Sequence, residues 1–144
     1  MNRKLRIVLD TNILLVSISS KSSYHWIFEA LLADAFDLYL STDILLEYEE
    51  IIGRKFNVRV VQDVTRTLLA LPNVQTVNVF FYWNLIANDP DDNKFADCAV
   101  NAGVDYLVSD DHHYNILKTI DFPKVQVLTI TEFTDIFQEH QRRL

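Results

Sequence analysis

IVLDTNILL, from Ile7 to Leu15, is the stretch of sequence that decides the fold, an apolar run broken only by Asp10, Thr11 and Asn12. The residues before Asp10 have the branched, apolar character of a strand that is buried on both faces. Open α/β sheets place their chemistry beyond the carboxyl ends of parallel strands. The carboxylate, hydroxyl and amide that follow this strand are therefore candidate functional groups.

Composition predicts a single globular domain over residues 1–144. The chain is 49% hydrophobic, 12% aromatic and 23% charged, which is far from the profile of a disordered protein. Its length suffices to bury a core, and its one cysteine, Cys98, excludes an internal disulfide or a cysteine zinc cluster. The N-terminus lacks a signal-peptide pattern, and no apolar window approaches the ~20 residues of a spanning helix. We expect a cytoplasmic protein without a membrane partner.

The net charge of −7 argues against a broad basic surface for nucleic acid. It leaves a nuclease open, because carboxylates that hold divalent cations add negative charge while the cations meet the phosphate. The lysines and arginines are scattered along the chain, so charge alone does not identify the partner.

Strand and helix patterns alternate along the chain. Strands are expected over residues 4–9, 36–40, 105–109 and 125–130, and an edge strand or crossing loop over residues 74–86. Amphipathic helices fill most of the intervals between them. This alternation predicts a three-layer α/β/α sandwich with a mostly parallel central sheet.

Three local expectations accompany this fold. Thr11 or Asn12 is expected near the cap of the first helix. Gly53 is expected to close or interrupt the helix that follows the second strand. The aromatic cluster from Phe80 to Trp83 is expected to pack in the core, with a partner surface as the alternative.

Acidic side chains fall close to one edge of the predicted sheet. They are Asp10 after the first strand, Glu47 on the helix after the second strand, Asp91 and Asp92 at the start of a later helix, and Asp110 and Asp111 after the strand at residues 105–109. Each aspartate alone also fits a helix cap or a turn. Together they are the oxygen ligands that Mg²⁺ and Mn²⁺ prefer.

Glu47 differs from the aspartates because it borders the apolar face of its helix. A glutamate that leans inward needs a cationic partner, and no lysine or arginine lies at a matching helical step before Lys55. A bound metal ion is expected to meet that need.

The order of four sequence pieces resembles the PIN-domain family, metal-dependent ribonucleases that are often the toxin half of bacterial toxin–antitoxin pairs. The pieces are VLDTNILL, ILLEYEEII, DPDDNKFADCAVNAGVDYLVSDD and VQVLTITEF, and they span Ile7 to Phe133. The resemblance implies an endoribonuclease that hydrolyses RNA phosphodiester bonds with Mg²⁺ or Mn²⁺. It also implies a cognate antitoxin as protein partner and leaves a homodimer open.

Carried over by motif, the resemblance assigns roles to individual residues. The catalytic and metal-binding acids are Asp10, Glu47, Asp92 and Asp111. The residues expected to support them are Thr11, Asn12 and Ser109, with Asn12 orienting carboxylates by hydrogen bonds. The acids that rank behind them are Asp91, Asp97 and Asp110, and Asp97 is expected to point away from the site.

Other interpretations compete with a nuclease. His112 and His113 lie beside Asp111, but Mg²⁺ sites rarely use imidazole, so a surface or substrate contact is favoured over catalysis. The two glycines, Gly53 and Gly103, do not follow the first strand, which disfavours a nucleotide-binding Rossmann or P-loop domain. A phosphatase-like domain would need an acid at Asn12. The non-enzymatic alternative is a catalytically degenerate module that binds protein or RNA, for which the aromatic segment offers a surface.

Overall fold

A computed structural model describes residues 3–86 and 90–144. The strands are β1 (Leu5–Leu9), β2 (Phe36–Leu40), β3 (Val74–Thr76), β4 (Tyr106–Val108) and β5 (Val127–Leu128). The α-helices are α1 (Thr11–Ile18), α2 (His25–Leu32), α3 (Thr42–Lys55), α4 (Val58–Ala70), α5 (Asn93–Ala102) and α6 (Ile130–Arg142), and 3-10 helices span Pro90–Asp92 and His112–Thr119. Within these residues no helix has the length and apolar character that crossing a membrane requires.

The five strands form one parallel sheet in the order β3-β2-β1-β4-β5. This arrangement confirms the predicted parallel sheet. The central strand β1 is paired on both sides, and Leu9 lies opposite Val108. Asp10 and Ser109 follow these two residues, so their side chains start at the same level of the carboxyl edge.

Helices cover both faces of the sheet, as the predicted three-layer architecture requires. On one face the ring of Phe36 meets the edge of Phe133 from α6, with ring centroids 6.0 Å apart. Tyr39 lies three residues further along β2 and therefore points to the opposite face. There its hydroxyl accepts a hydrogen bond from Arg6, whose guanidinium also binds the carbonyl of Gly103 at the end of α5.

Helix boundaries follow the expected capping chemistry in part. The cap of α1 is Asp10 itself, and Thr11 and Asn12, expected near the cap, are the first two residues of the helix. Helix α3 runs through Gly53 to Lys55, so the expectation that this glycine closes or interrupts the helix is wrong. A Cβ there would lie 3.4 Å from the side chain of Val61, so the glycine sits where α4 packs closely against α3. Helix α5 ends at Gly103, which has the left-handed φ of 63° that favours glycine.

The aromatic cluster is exposed, so the expectation of core packing is wrong. Phe80 is 78% exposed, Phe81 and Tyr82 are each 67% exposed, and Trp83 is partly exposed. Residues 77–86 form neither helix nor strand and are attached to α5 by hydrogen bonds. The sheet faces are already filled by other apolar residues, and the aromatic rings lie outside that core.

Candidate metal centre

Asp10 is buried at the carboxyl edge of the sheet, with 7% of its surface exposed. One carboxylate oxygen accepts a hydrogen bond from the backbone N–H of Thr11, and the other accepts one from the hydroxyl of Ser109, each at 2.7 Å. Burial raises the pKa of Asp10, and the nearby charges of Glu47 and Asp111 raise it further, while the two hydrogen bonds oppose the rise. These two hydrogen bonds fix the carboxylate in place.

Ser109 links two of the acids across the edge. Its hydroxyl donates to Asp10 and accepts a hydrogen bond from the backbone N–H of Asp111 at 3.0 Å. The backbone N–H of Ser109 in turn donates to the carbonyl of Leu128 in β5. Since these bonds join β5, the end of β4 and the end of β1, the serine holds Asp10 and Asp111 in a set relation.

Glu47 reaches the edge from α3 and has two partners. The hydroxyl of Thr11 donates to one of its carboxylate oxygens, and the ammonium group of Lys94 lies 2.8 Å from the other. The sequence argument that Glu47 needs a metal ion as its cationic partner is therefore wrong. Lys94 on α5, which is distant in sequence, supplies the positive charge. Burial lowers the pKa of Lys94, but the hydrogen bond and charge of Glu47 outweigh this effect and raise it.

Asp92 and Asp111 meet His113 at the same edge. One ligand atom from each of the three side chains lies within 4.8 Å of the others. His113 Nδ1 is 3.2 Å from Asp111 Oδ1 and 3.6 Å from Asp92 Oδ2. Asp92 stands at the N-terminus of α5 without a side-chain capping bond, which leaves its carboxylate directed to this cluster instead of the helix end.

The buried phenol of Tyr114 lies close to the acids at this edge. Its hydroxyl donates to the backbone carbonyl of Asp92 at 3.3 Å. Burial raises the pKa of Tyr114 far above its usual range, and the charges of Asp10, Asp92 and Asp111 add to the rise. The phenol therefore stays neutral at physiological pH, and its hydroxyl lies near enough to three carboxylates for their charges to affect it.

The three alternative acids of the sequence analysis make other contacts. Asp110 accepts a hydrogen bond from the backbone N–H of Ile130 at the start of α6. Asp97 accepts one from the backbone N–H of Trp83 and holds the aromatic segment. Asp91 lines a cavity of about 200 Å³ beside Lys94.

The expected supporting residues divide in the same way. Thr11 and Ser109 contact the acids directly. Asn12 has an exposed side chain, and within residues 3–86 and 90–144 no hydrogen bond from it to a carboxylate is found. The polar contact expected of Asn12 is made by Thr11.

Two residues at this edge have contacts that the sequence does not predict. The sequence favours a surface or substrate contact for His113, which lies beside Asp92 and Asp111, and it assigns no role to Lys94, which pairs with Glu47. Each lies two residues after an acid of the site, Lys94 after Asp92 and His113 after Asp111, a spacing that by itself does not bring side chains together on a helix.

The fold and the site define an α/β protein whose carboxylates gather beyond the carboxyl ends of parallel strands. The family model described as PIN domain matches residues 6–113, and the chain belongs to the PIN-domain family. In fold it is similar to a chain of the crystal structure of VapBC2 from Rickettsia felis bound to a DNA fragment from their promoter. The two share 16% identity and a TM-score of 0.59, over 87% of this chain and 98% of the other. Comparison with curated proteins gave no match.

Proposed function

We propose that the protein is a metal-dependent endoribonuclease that hydrolyses RNA phosphodiester bonds. The observation that carries the proposal is the convergence of four acids, Asp10, Glu47, Asp92 and Asp111, from four separate parts of the chain at one sheet edge. Clustered carboxylates repel one another, and a bound cation would offset that repulsion. Membership of the PIN-domain family supports the same reading.

The donor set fits a hard divalent cation, Mg²⁺ or Mn²⁺. Asp92 and Asp111 would hold it, with Asp10 nearby as a fixed third carboxylate. When bound, such a cation supplies positive charge against the phosphate and activates water for hydrolysis. Ser109 and Thr11 orient the acids by hydrogen bonds, and Lys94 keeps the charge of Glu47 balanced.

The biological setting we propose is the toxin half of a toxin–antitoxin pair. The family resemblance and the similarity in fold to a chain of the VapBC2 complex support this setting. It entails a cognate antitoxin as partner, and RNA as a substrate met in the cytoplasm. Induced expression should arrest growth, Asp92→Asn should relieve the arrest, and co-expression of a small neighbouring gene product should do the same. Equal arrest by the Asp92→Asn variant would contradict a nuclease toxin.

Two neighbouring acids provide a matched test of the enzymatic proposal. Asp92 belongs to the cluster, whereas Asp91 lines the adjoining cavity. With labelled RNA and Mn²⁺, Asp92→Asn should lose at least about a hundredfold in cleavage rate, the scale of a large electrostatic contribution. Asp91→Asn should keep most of the activity. Equal losses in both variants would count against the assigned site. Cleavage of DNA in preference to RNA would mean that the substrate is DNA.

A second candidate function is favoured by the exposed aromatic rings of Phe80, Phe81 and Tyr82. A degenerate module would bind a protein or RNA through this surface and would need no intact carboxylates. The growth assay separates the two functions, because Asp92→Asn would then leave the cellular effect intact while substitution of the aromatic residues would remove it.

A further inference from the structure

His113 is the one nitrogen donor in the described cluster of candidate metal ligands. Its Nδ1 atom is 3.2 Å from an oxygen of Asp111 and 3.6 Å from an oxygen of Asp92. Neighbouring ligands of an octahedral cation, each about 2.1 Å from the metal, stand ~3 Å apart. The imidazole is therefore spaced from each of the two carboxylates as an adjacent ligand of one cation would be, with a small contraction on binding.

The backbone around His113 holds the imidazole at this place. The N–H of His113 donates to Asp111 Oδ1 at 2.9 Å and starts the 3-10 helix that follows β4. The next residue, Tyr114, is completely buried, which anchors the helix to the core. A side chain positioned in this way loses little conformational entropy when it binds a metal.

His112 shows that adjacency to Asp111 alone does not place an imidazole in the cluster. Its side chain is 82% exposed, against 39% for His113. Its Nδ1 atom is 3.9 Å from Asp111, and it is not among the residues whose ligand atoms gather within 4.8 Å. The two histidines therefore form a matched pair, one inside the cluster and one beside it.

We propose that His113 ligates the divalent cation through Nδ1, together with Asp92 and Asp111, and that this ligand makes the site favour Mn²⁺ over Mg²⁺. Mg²⁺ is satisfied by oxygen and gains little from imidazole, whereas transition metals gain affinity from a nitrogen ligand. The inference rests on the proposed function only in that both place a cation among these carboxylates.

The direct test is electron spin-echo spectroscopy of Mn²⁺ bound to the full chain without RNA. The wild type should show a hyperfine coupling to a histidine nitrogen. His112→Ala should retain this coupling and His113→Ala should lose it. Absence of the coupling in the wild type, or its persistence in folded His113→Ala, would overturn the proposal.

Cation binding measured by calorimetry provides a second readout. His113→Ala should weaken Mn²⁺ by about tenfold or more, the scale at which even indirect partners of a metal affect its binding. The binding of Mg²⁺ should weaken less, so the ratio of the Mn²⁺ affinity to the Mg²⁺ affinity should fall. His112→Ala should leave this ratio unchanged. An unchanged ratio in His113→Ala would contradict the assignment.

Isotope labelling keeps the test valid if His113→Ala does not fold. Wild-type protein with histidine labelled in the heavier nitrogen isotope should show the corresponding change in the coupling pattern, and an unchanged pattern would overturn the proposal. These readouts also separate the two proposals. A histidine coupling without RNA cleavage would support His113 as a ligand and contradict the nuclease proposal. Cleavage without the coupling would support the nuclease and contradict His113 as a ligand.

Discussion

Asp10 is a buried carboxylate whose two oxygens accept hydrogen bonds from Thr11 and Ser109. Because burial raises its pKa, the folded chain holds this proton more tightly than the unfolded chain does. The stabilisation from this group is complete below the unfolded pKa of about 3.9 and is lost as the pH rises through the raised folded pKa. Deprotonation of Asp10 in the metal-free protein therefore opposes folding.

Asp10→Asn should consequently gain stability relative to the wild type as the pH rises from about 3 to 7, the interval that starts below the unfolded pKa. The amide keeps one acceptor for the N–H of Thr11, and the hydroxyl of Ser109 can turn to accept from the amide nitrogen. Chemical unfolding of metal-free protein at several pH values measures the trend, with Asp63→Asn on the exposed side of α4 as control. A relative stability that stays flat or falls with pH would contradict this account of Asp10.

The pair of Lys94 and Glu47 gives a second prediction for single residues. Both side chains are about three-quarters buried, whereas Arg54 and Glu50 form a largely exposed pair on α3. Lys94→Ala should lower the free energy of unfolding by about 1 to 2 kcal/mol, between the values for exposed and buried pairs. Arg54→Ala should change it by at most roughly 0.5 kcal/mol.

The same lysine variant should bind Mn²⁺ more tightly than the wild type, because the positive charge that offsets Glu47 is gone. Calorimetric titration of Mn²⁺ into Lys94→Ala and into the wild type provides the measurement. Weaker Mn²⁺ binding by Lys94→Ala would mean that the lysine supports the cation site and does not compete with it.

Sequence patterns located the acids but not their neighbours. Asp10 and Asp111 could be found because each follows a strand, and strand ends of a parallel sheet share one edge. The partner of Glu47 could not be found by helical steps, since Lys94 comes from a helix distant in sequence. The placement of His113 depends on the 3-10 helix His112–Thr119, which the apolar pattern did not reveal.

At the scale of elements, helix α5 carries both the site and the aromatic segment. Asp92 occupies its N-cap position and Lys94 in its first turn pairs with Glu47, while Asn101 in its last turn binds the backbone of Phe80 and Phe81 through its side chain. Asp97, between them, accepts from the N–H of Trp83. The exposed rings are therefore held to the same rigid element as the acids.

Asn101→Ala should release the aromatic segment from α5. These bonds join exposed groups that water can satisfy, so their loss should destabilise by at most about 0.5 to 1.5 kcal/mol each. Amide hydrogen exchange should rise at residues 80–81 with little change in β1 and β4. Unchanged exchange at these positions would show that the ring contacts among Phe81, Trp83 and Phe122 hold the segment without Asn101.

The strands and helices with strong periodicity were predictable, and the aromatic segment was not. Apolar pattern identifies side chains that are able to enter a core, but it does not show whether the core has room. Helix α3 also continues past its expected end at Gly53, because one glycine inside a helix costs only about 1 kcal/mol, which the packing of α3 against α4 can offset.

At the scale of the whole molecule, the strand order explains why the acids converge. The central strand β1 ends at Asp10, its neighbour β4 ends at Ser109, and β2 leads into α3 with Glu47. The alternation of elements predicted a parallel sheet, whereas the order β3-β2-β1-β4-β5 was beyond it. The edge strands β3 and β5 contain only three and two residues, too few for a pairing preference to be visible.

Withdrawal and return of the divalent cation tests the central claim most directly. Purified wild-type protein should cleave a labelled RNA with Mn²⁺, stop when the cation is chelated, and resume when Mn²⁺ is returned, while Asp111→Asn stays inactive throughout. Cleavage that survives chelation, or that Asp111→Asn performs as well as the wild type, would contradict a metal-dependent nuclease at this edge of the sheet.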